Sequence, residues 1–191
     1  GEFPVELYRQ LDRLGWLQLV VPEEMGGLPI STTDLAWISR EIAYGSSGMF
    51  ISVMANLIAT LVIFRHGSRE CKERLRSDLS AKLSLSSFCW TEADSGSDVY
   101  RIKTTAVRTT GGYLLRGSKC FVTNANYADR FVIVAHVEGA DRRRSLTAFL
   151  VPKGTKGLEV GRALRKIGIS DSNTGELFLE NVFVPDSQVI G

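Results

Sequence analysis

Histidine is nearly absent from this chain of 191 residues: only His66 and His136 occur, too few for a histidine-based metal site to be expected. Cysteine is scarce as well. Cys71, Cys89 and Cys120 are odd in number and widely spaced, with no C-x-x-C among them. That argues against a disulfide framework or a zinc site and makes a reducing compartment the default, cytoplasmic or, in a eukaryote, the mitochondrial matrix. Neither sign of charge dominates. The 23 Lys and Arg set against 21 Asp and Glu leave a net charge of +2, so nothing global points to nucleic acid or a membrane surface. Internal repeats and low-complexity segments are missing, and Gly1-Glu2-Phe3-Pro4 lacks the basic-then-apolar form of a secretory signal.

Long apolar runs are limited to one, M-F-I-S-V-M-A-N-L-I-A-T-L-V-I-F over residues 49–64. It is shorter than the ~20 residues a membrane span usually needs. Ser52, Asn56 and Thr60 recur within it every fourth residue and so share one helical face. The run reads as a buried core helix whose polar stripe faces either a ligand cavity or a neighbouring element.

With 44% hydrophobic residues, the chain can build a substantial core in one large or two small domains. Its texture changes at about Leu85. Before that point the pattern is helical: Leu7, Leu11, Leu14 and Leu17 recur at helical spacing and lead into the turn Val21-Pro22-Glu23-Glu24-Met25-Gly26-Gly27. Ser31-Thr32-Thr33-Asp34 offers N-caps for a helix to Tyr44 with Leu35, Ile38 and Ile42 as its apolar side. The apolar helix ends at Gly67, and a charged helix runs from Ser68 to about Leu79.

From Ser84 onward the chain reads as strands. Two hairpins are expected, 104–108 with 113–116 across a glycine turn and 131–135 with 146–151 across a polar tip, followed by strands at 158–160 and 177–184. The expected fold class is α+β: an all-helical unit over residues 1–85, then a small antiparallel β-barrel or sandwich over 86–191. Ligand sites favour such junctions.

Two segments stand out near the junction. Phe88-Cys89-Trp90-Thr91-Glu92-Ala93-Asp94-Ser95-Gly96-Ser97-Asp98 and Leu115-Arg116-Gly117-Ser118-Lys119-Cys120-Phe121-Val122-Thr123-Asn124 each read as a strand ending in aromatics and a threonine. The first then breaks into a loop of small and acidic residues. An aromatic and hydroxyl wall beside free backbone N–H groups suits a large planar cofactor with a phosphate tail. Taken singly, Thr91 and Thr123 are also ordinary β-formers, Gly96-Ser97-Asp98 an ordinary turn, and Phe88 and Phe121 ordinary core.

At these residues the chain resembles the acyl-CoA dehydrogenase family of flavoproteins. The family pattern T-E-P-x-A-G-S-D is met at Thr91–Asp98, and G-x-K-x-x-I-T-N at Gly117–Asn124. K-x-G-x-x-x-S is met from Lys166-Ile167-Gly168-Ile169-Ser170, and V-P-x-x-x-x-x-G at Val184–Gly191. Leu14-Gly15-Trp16 and the turn at 21–27 fit the helical half. Ala93 stands where the family has proline and Ser95 where it has alanine, which implies a more flexible loop. Family members also extend beyond both ends of this sequence, so the chain reads as cut at both ends.

The resemblance implies FAD as cofactor, with Phe88, Trp90, Thr91, Gly96, Ser97, Phe121, Val122 and Thr123 around it. Thr123 would lie near flavin N5, Thr91 near the pyrimidine side, and Gly96 and Ser97 at the pyrophosphate. Ser97, Arg143 and Arg144 would meet the acyl-CoA substrate, although the basic run Arg142-Arg143-Arg144 also reads as a solvated hairpin tip. Asp94 and Asp98 read as caps of the loop turn, and Glu92 as structural. The implied reaction is α,β-dehydrogenation of an acyl-CoA thioester, with the Cβ hydride passing to flavin N5. An electron-transfer flavoprotein or similar acceptor and a dimeric or tetrameric assembly are implied, without nucleic acid, metal or membrane span. The catalytic base of the family lies in a C-terminal domain, so no catalytic residue is named here. Alternatives on the same scaffold are an acyl-CoA oxidase, a flavin monooxygenase, or a non-catalytic partner of a split enzyme.

Overall fold

The computed structural model describes residues 3–81, 83–141 and 144–191. Four α-helices come first: α1 (Val5–Arg13), α2 (Thr32–Gly45), α3 (Ser47–His66) and α4 (Arg69–Ala81). Eight strands follow: β1 (Ser86–Cys89), β2 (Thr105–Thr109), β3 (Gly112–Thr123), β4 (Arg130–Val137), β5 (Leu146–Pro152), β6 (Leu158–Val160), β7 (Thr174–Pro185) and β8 (Val189–Ile190).

Local chemistry sets the helix ends. Ser31 caps α2 through a reciprocal box: its hydroxyl accepts from the Asp34 amide while Asp34 accepts from the Ser31 amide. At the other end of α3, Gly67 is the cap, but its backbone is extended rather than left-handed. A Cβ there would stand 2.5 Å from the Ile63 carbonyl oxygen, so close approach is what selects glycine. In α1 the buried pair is Tyr8 and Leu11. Leu7 and Leu14, expected inside from their spacing, are largely exposed, because Tyr8 takes the inward position and stacks on Phe3.

The α3 helix is apolar apart from the stripe of Ser52, Asn56 and Thr60 and forms the hub of this half, packed against α2, the short turn at Trp16–Gln18 and β1. By length and composition it could cross a membrane. Here Ser52, Asn56 and Thr60 on it are fully buried.

The strands form one sheet in the order β6-β7-β3-β2-β4-β5-β8, with β1 also on β4. Five pairings are antiparallel, but β1 and β2 both run parallel to β4, so the sheet is mixed. One edge of β4 carries β5 along its length. The other is shared, with β1 on Arg130–Ile133 and β2 on His136–Val137. Strand β4 is buried on both faces. Phe131, Ile133 and Ala135 enter the core of the sheet, while Val132 joins Ala59, Ile63, Phe64, Leu75 and Leu79 from α3 and α4. That explains its unbroken apolar run.

Candidate functional site

The fold brings the two marked segments side by side. The Cys120 amide donates to the Thr91 carbonyl at 2.9 Å, and the Ser87 hydroxyl donates to the Thr123 carbonyl at 2.6 Å. The end of β1 and the end of β3 therefore run alongside each other in opposite senses. A bulge in β3 between Lys119 and Val122 places Phe121 at φ 55°, a rare backbone state for a bulky residue. Lys119 and Val122 turn inward while Phe121 is 67% exposed. Thr91 and Thr123 are half-buried.

Phe88 and Trp90 face elsewhere. Their rings stack at 5.8 Å and line a cavity of about 330 Å3 with Val62 and His66 of α3, Leu146, Ala148 and Ile190. Among the described residues no ring contact joins Phe121 to either of them.

The loop from Ala93 to Ile102 joins β1 to β2. Gly96 and Ser97 sit exposed at its tip. Gly96 has no left-handed φ, and nothing in the chain lies within 4 Å of where its Cβ would stand. The loop is held more firmly than the loss of proline at Ala93 implies. Glu92 and Ser95 exchange both backbone hydrogen bonds, and the Ser95 hydroxyl donates to the Asp98 carbonyl at 2.8 Å. Asp98 caps the Tyr100 amide, as expected. Asp94 does not cap the turn. It pairs with Lys103, whose ammonium holds its carboxyl below the ordinary range.

Beneath the tip lies a buried knot. One Glu92 oxygen accepts from the Lys103 amide at 2.6 Å. The other accepts from the Thr104 amide, the Thr104 hydroxyl and Lys119 Nζ, the last at 2.7 Å. Lys119 also donates to the Trp90 carbonyl at 3.1 Å. Burial works to raise the Glu92 carboxyl, but the bonds from Lys119, Thr104 and the Lys103 amide outweigh it and hold it below the ordinary carboxylate range. Burial pushes the Lys119 ammonium down, with Glu92 opposing. The direction that governs the pair is that of the carboxylate, which four donors surround. Gly117, the glycine of G-x-K, is required by the same knot: its φ is 145°, and a Cβ would overlap Thr104. Motif spacing alone assigns no role to Lys119 or Thr104. A lysine inside a strand motif, between residues destined for the core, was the available signal.

The polar stripe of α3 faces neighbouring elements. Asn56 donates to the Leu17 carbonyl at 3.1 Å and accepts from the Ser86 amide, the first residue of β1, at 2.8 Å. Ser52 donates to Ser172, and its carbonyl accepts from Asn124, the last residue of G-x-K-x-x-I-T-N. By spacing, K-x-G-x-x-x-S closes on this Ser172 rather than at Ser170. Lys166 of that pattern bonds the Ser172 carbonyl and the hydroxyl of Thr174, the register partner of Thr123. Asp171 accepts from Ser46 at the start of α3, so close that a Cβ on Gly48 would overlap its carboxylate.

Arg142 and Arg143 lie outside the described residues. Arg144 is exposed at the hairpin tip, where its amide donates to the Asp141 carbonyl. His136 is buried below that hairpin, with Nδ1 2.6 Å from the Ser145 hydroxyl and Nε2 3.3 Å from the Tyr100 carbonyl.

The chain also matches known proteins in sequence and fold. The family model described as acyl-CoA dehydrogenase, N-terminal domain, matches residues 1–82, and that described as acyl-CoA dehydrogenase, middle domain, matches residues 87–182. The acyl-CoA dehydrogenase of Bacillus subtilis (strain 168) is 35% identical over 192 residues, covering 100% of this chain and 50% of that protein. The FAD complex of PigA matches with a TM-score of 0.91 at 34% identity, over 99% of this chain and 50% of that one. Glutaryl-coenzyme A dehydrogenase in its glutaryl-CoA complex matches with a TM-score of 0.90 at 34% identity, over 100% and 49% of the two chains. The chain spans about half the length of the curated relatives it matches.

Proposed function

The chain belongs to the acyl-CoA dehydrogenase family, and from that premise we propose that its protein oxidises the Cα–Cβ bond of an acyl-CoA thioester with FAD as cofactor. When bound, FAD would supply the hydride acceptor for that oxidation. The observation that carries the reading is the juxtaposition of Thr91 and Thr123 segments beside an outward-turned Phe121.

Each residue has a part in this reading. The exposed Phe121 ring provides an apolar face for the flavin, held outward by its left-handed backbone. The Thr91 and Thr123 hydroxyls serve the polar edge of the ring, with Val122 beneath them in the core. Gly96 and Ser97 offer amides and a hydroxyl to the pyrophosphate, and the open space at Gly96 is what close approach of a phosphate requires. Ser97 also meets the CoA arm, and Arg143 and Arg144 its phosphates. Phe88 and Trp90 support the wall from the cavity beside α3.

Glu92 is not the base, because its carboxylate already accepts from four donors. The base belongs to another part of the protein, as suits relatives of about twice this length. An electron-transfer flavoprotein or similar acceptor would take up the electrons. A dimer or tetramer fits the large exposed side chains of Trp37, Tyr44 and Ile58 on the helical half.

The test is the visible spectrum of the full-length protein. It should be yellow with FAD and bleach on addition of an acyl-CoA without oxygen. A full-length protein that stays colourless when offered FAD sinks the proposal.

A further inference from the structure

The loop between β1 and β2 has one unusual property: both of its ends meet on a single side chain. It departs at Glu92 and returns at Lys103 and Thr104, and the Glu92 carboxylate accepts from the backbone amides of both returning residues. Lys119, from the neighbouring strand β3, closes the arrangement by donating to that carboxylate and to the Trp90 carbonyl. The next amide, of Cys120, holds the Thr91 carbonyl. The side chains of the pair are 0% and 7% exposed.

We propose that the buried Lys119–Glu92 pair is a positioning device that sets the height and spacing of the loop tip, Gly96 and Ser97, above the end of β3. This rests on the reading of the tip as the seat of the FAD pyrophosphate.

A buried ion pair is a costly way to fill space, since apolar side chains of equal volume are often as stable or more so. What the pair adds is direction. A carboxylate with two acceptor atoms and an ammonium with three donors fix the relative places of Trp90, Glu92, Lys103 and Thr104. Apolar contacts do not fix them in that way. Backbone amides that hold a phosphate need placement within about 0.5 Å, and the pair adds side-chain anchors to the two other bonds that tie the loop's ends to β3, from the Cys120 amide to the Thr91 carbonyl and from the Thr104 hydroxyl to the Ser118 carbonyl. Burial of Lys119 and the convergence of donors on Glu92 keep both groups away from solvent and from any proton-transfer role.

The experiment compares two ligands in the full-length protein. FAD carries the pyrophosphate and riboflavin does not, so the pair should govern only the first. Lys119→Met should weaken FAD binding by about tenfold or more and leave riboflavin binding within about twofold, as expected of a misplaced phosphate seat under an intact ring wall. A folded Lys119→Met protein with unchanged FAD affinity, or with FAD and riboflavin weakened alike, overturns the proposal. Thr104→Val removes one donor and leaves the charges paired. It covers the case in which Lys119→Met does not fold, with an expected loss of about threefold for FAD alone. Equal loss for both ligands in Thr104→Val overturns the proposal in the same way. A wild-type protein that binds neither flavin overturns the underlying reading instead, which separates the two failures.

Discussion

Strand β1 is gripped at both ends by buried polar groups, and the two grips differ in kind. At its start the Ser86 amide is held by Asn56, an uncharged side chain from α3 that reaches across the junction of helices and sheet. Just past its end, the Trp90 carbonyl is held by Lys119, a charged side chain paired with Glu92 inside the sheet region. The neutral grip joins two parts of the molecule, and the charged one fixes a loop within one part. Loss of a partner in a neutral contact strands one or two dipoles. Loss of a partner in the charged knot strands a full charge in a place water does not reach.

The comparison predicts a graded series in denaturant unfolding. Glu92→Ala should be the most damaging, costing about 3–5 kcal/mol because Lys119 is left buried and unpaired. Adding Lys119→Met to Glu92→Leu should recover most of that loss, as an apolar pair replaces the ionic one. A Glu92→Ala protein no weaker than Asn56→Ala would break the distinction. Asn56→Ala should cost about 2 kcal/mol, the Ser86 amide and Leu17 carbonyl both losing their partner.

Acid separates the two grips further. The folded protein holds the Glu92 carboxyl below its ordinary range, so the stability it contributes is present above that range and lost as pH falls through the folded value. The stability gap between wild type and Glu92→Gln should therefore narrow on acidification, while the gap for Asn56→Ala stays level. An acid-insensitive Glu92→Gln gap would show that the knot works without its charge. The smallest effect is expected at Thr60→Val. The Thr60 hydroxyl is buried without a hydrogen-bond partner, so an isosteric methyl should leave the unfolding midpoint unchanged or raise it slightly.

Much of this was legible because it is local. The N-cap run at Ser31–Asp34, the apolar run of α3, the glycine turn between β2 and β3, and the spacing of the two marked segments all announce themselves within a few residues of sequence. The side-by-side placement of Thr91 and Thr123 followed from their motifs, although no local pattern says that Cys120 will bond Thr91. The parallel pairings of β1 and β2 with β4 were out of reach, since their partners lie 44 and 31 residues apart with no turn to mark them. Phe88 and Trp90 were expected beside Phe121. Alternation along β1 turns them toward α3, whereas the bulge at Phe121 breaks the alternation of β3. Lys119 was hidden for a different reason: a lysine in a strand reads as solvent-facing until its carboxylate partner is seen.

The shared edge of β4 has a bearing on how such proteins diversify. Because β4 itself sets where β1 stops and where β2 begins, the sheet does not depend on how many residues travel between them. The stretch from Ala93 to Ile102 behaves as a cassette, mounted on a chassis whose fittings are Glu92, Lys103, Thr104 and Lys119. Both ends of that stretch are thus anchored by residues it does not contain.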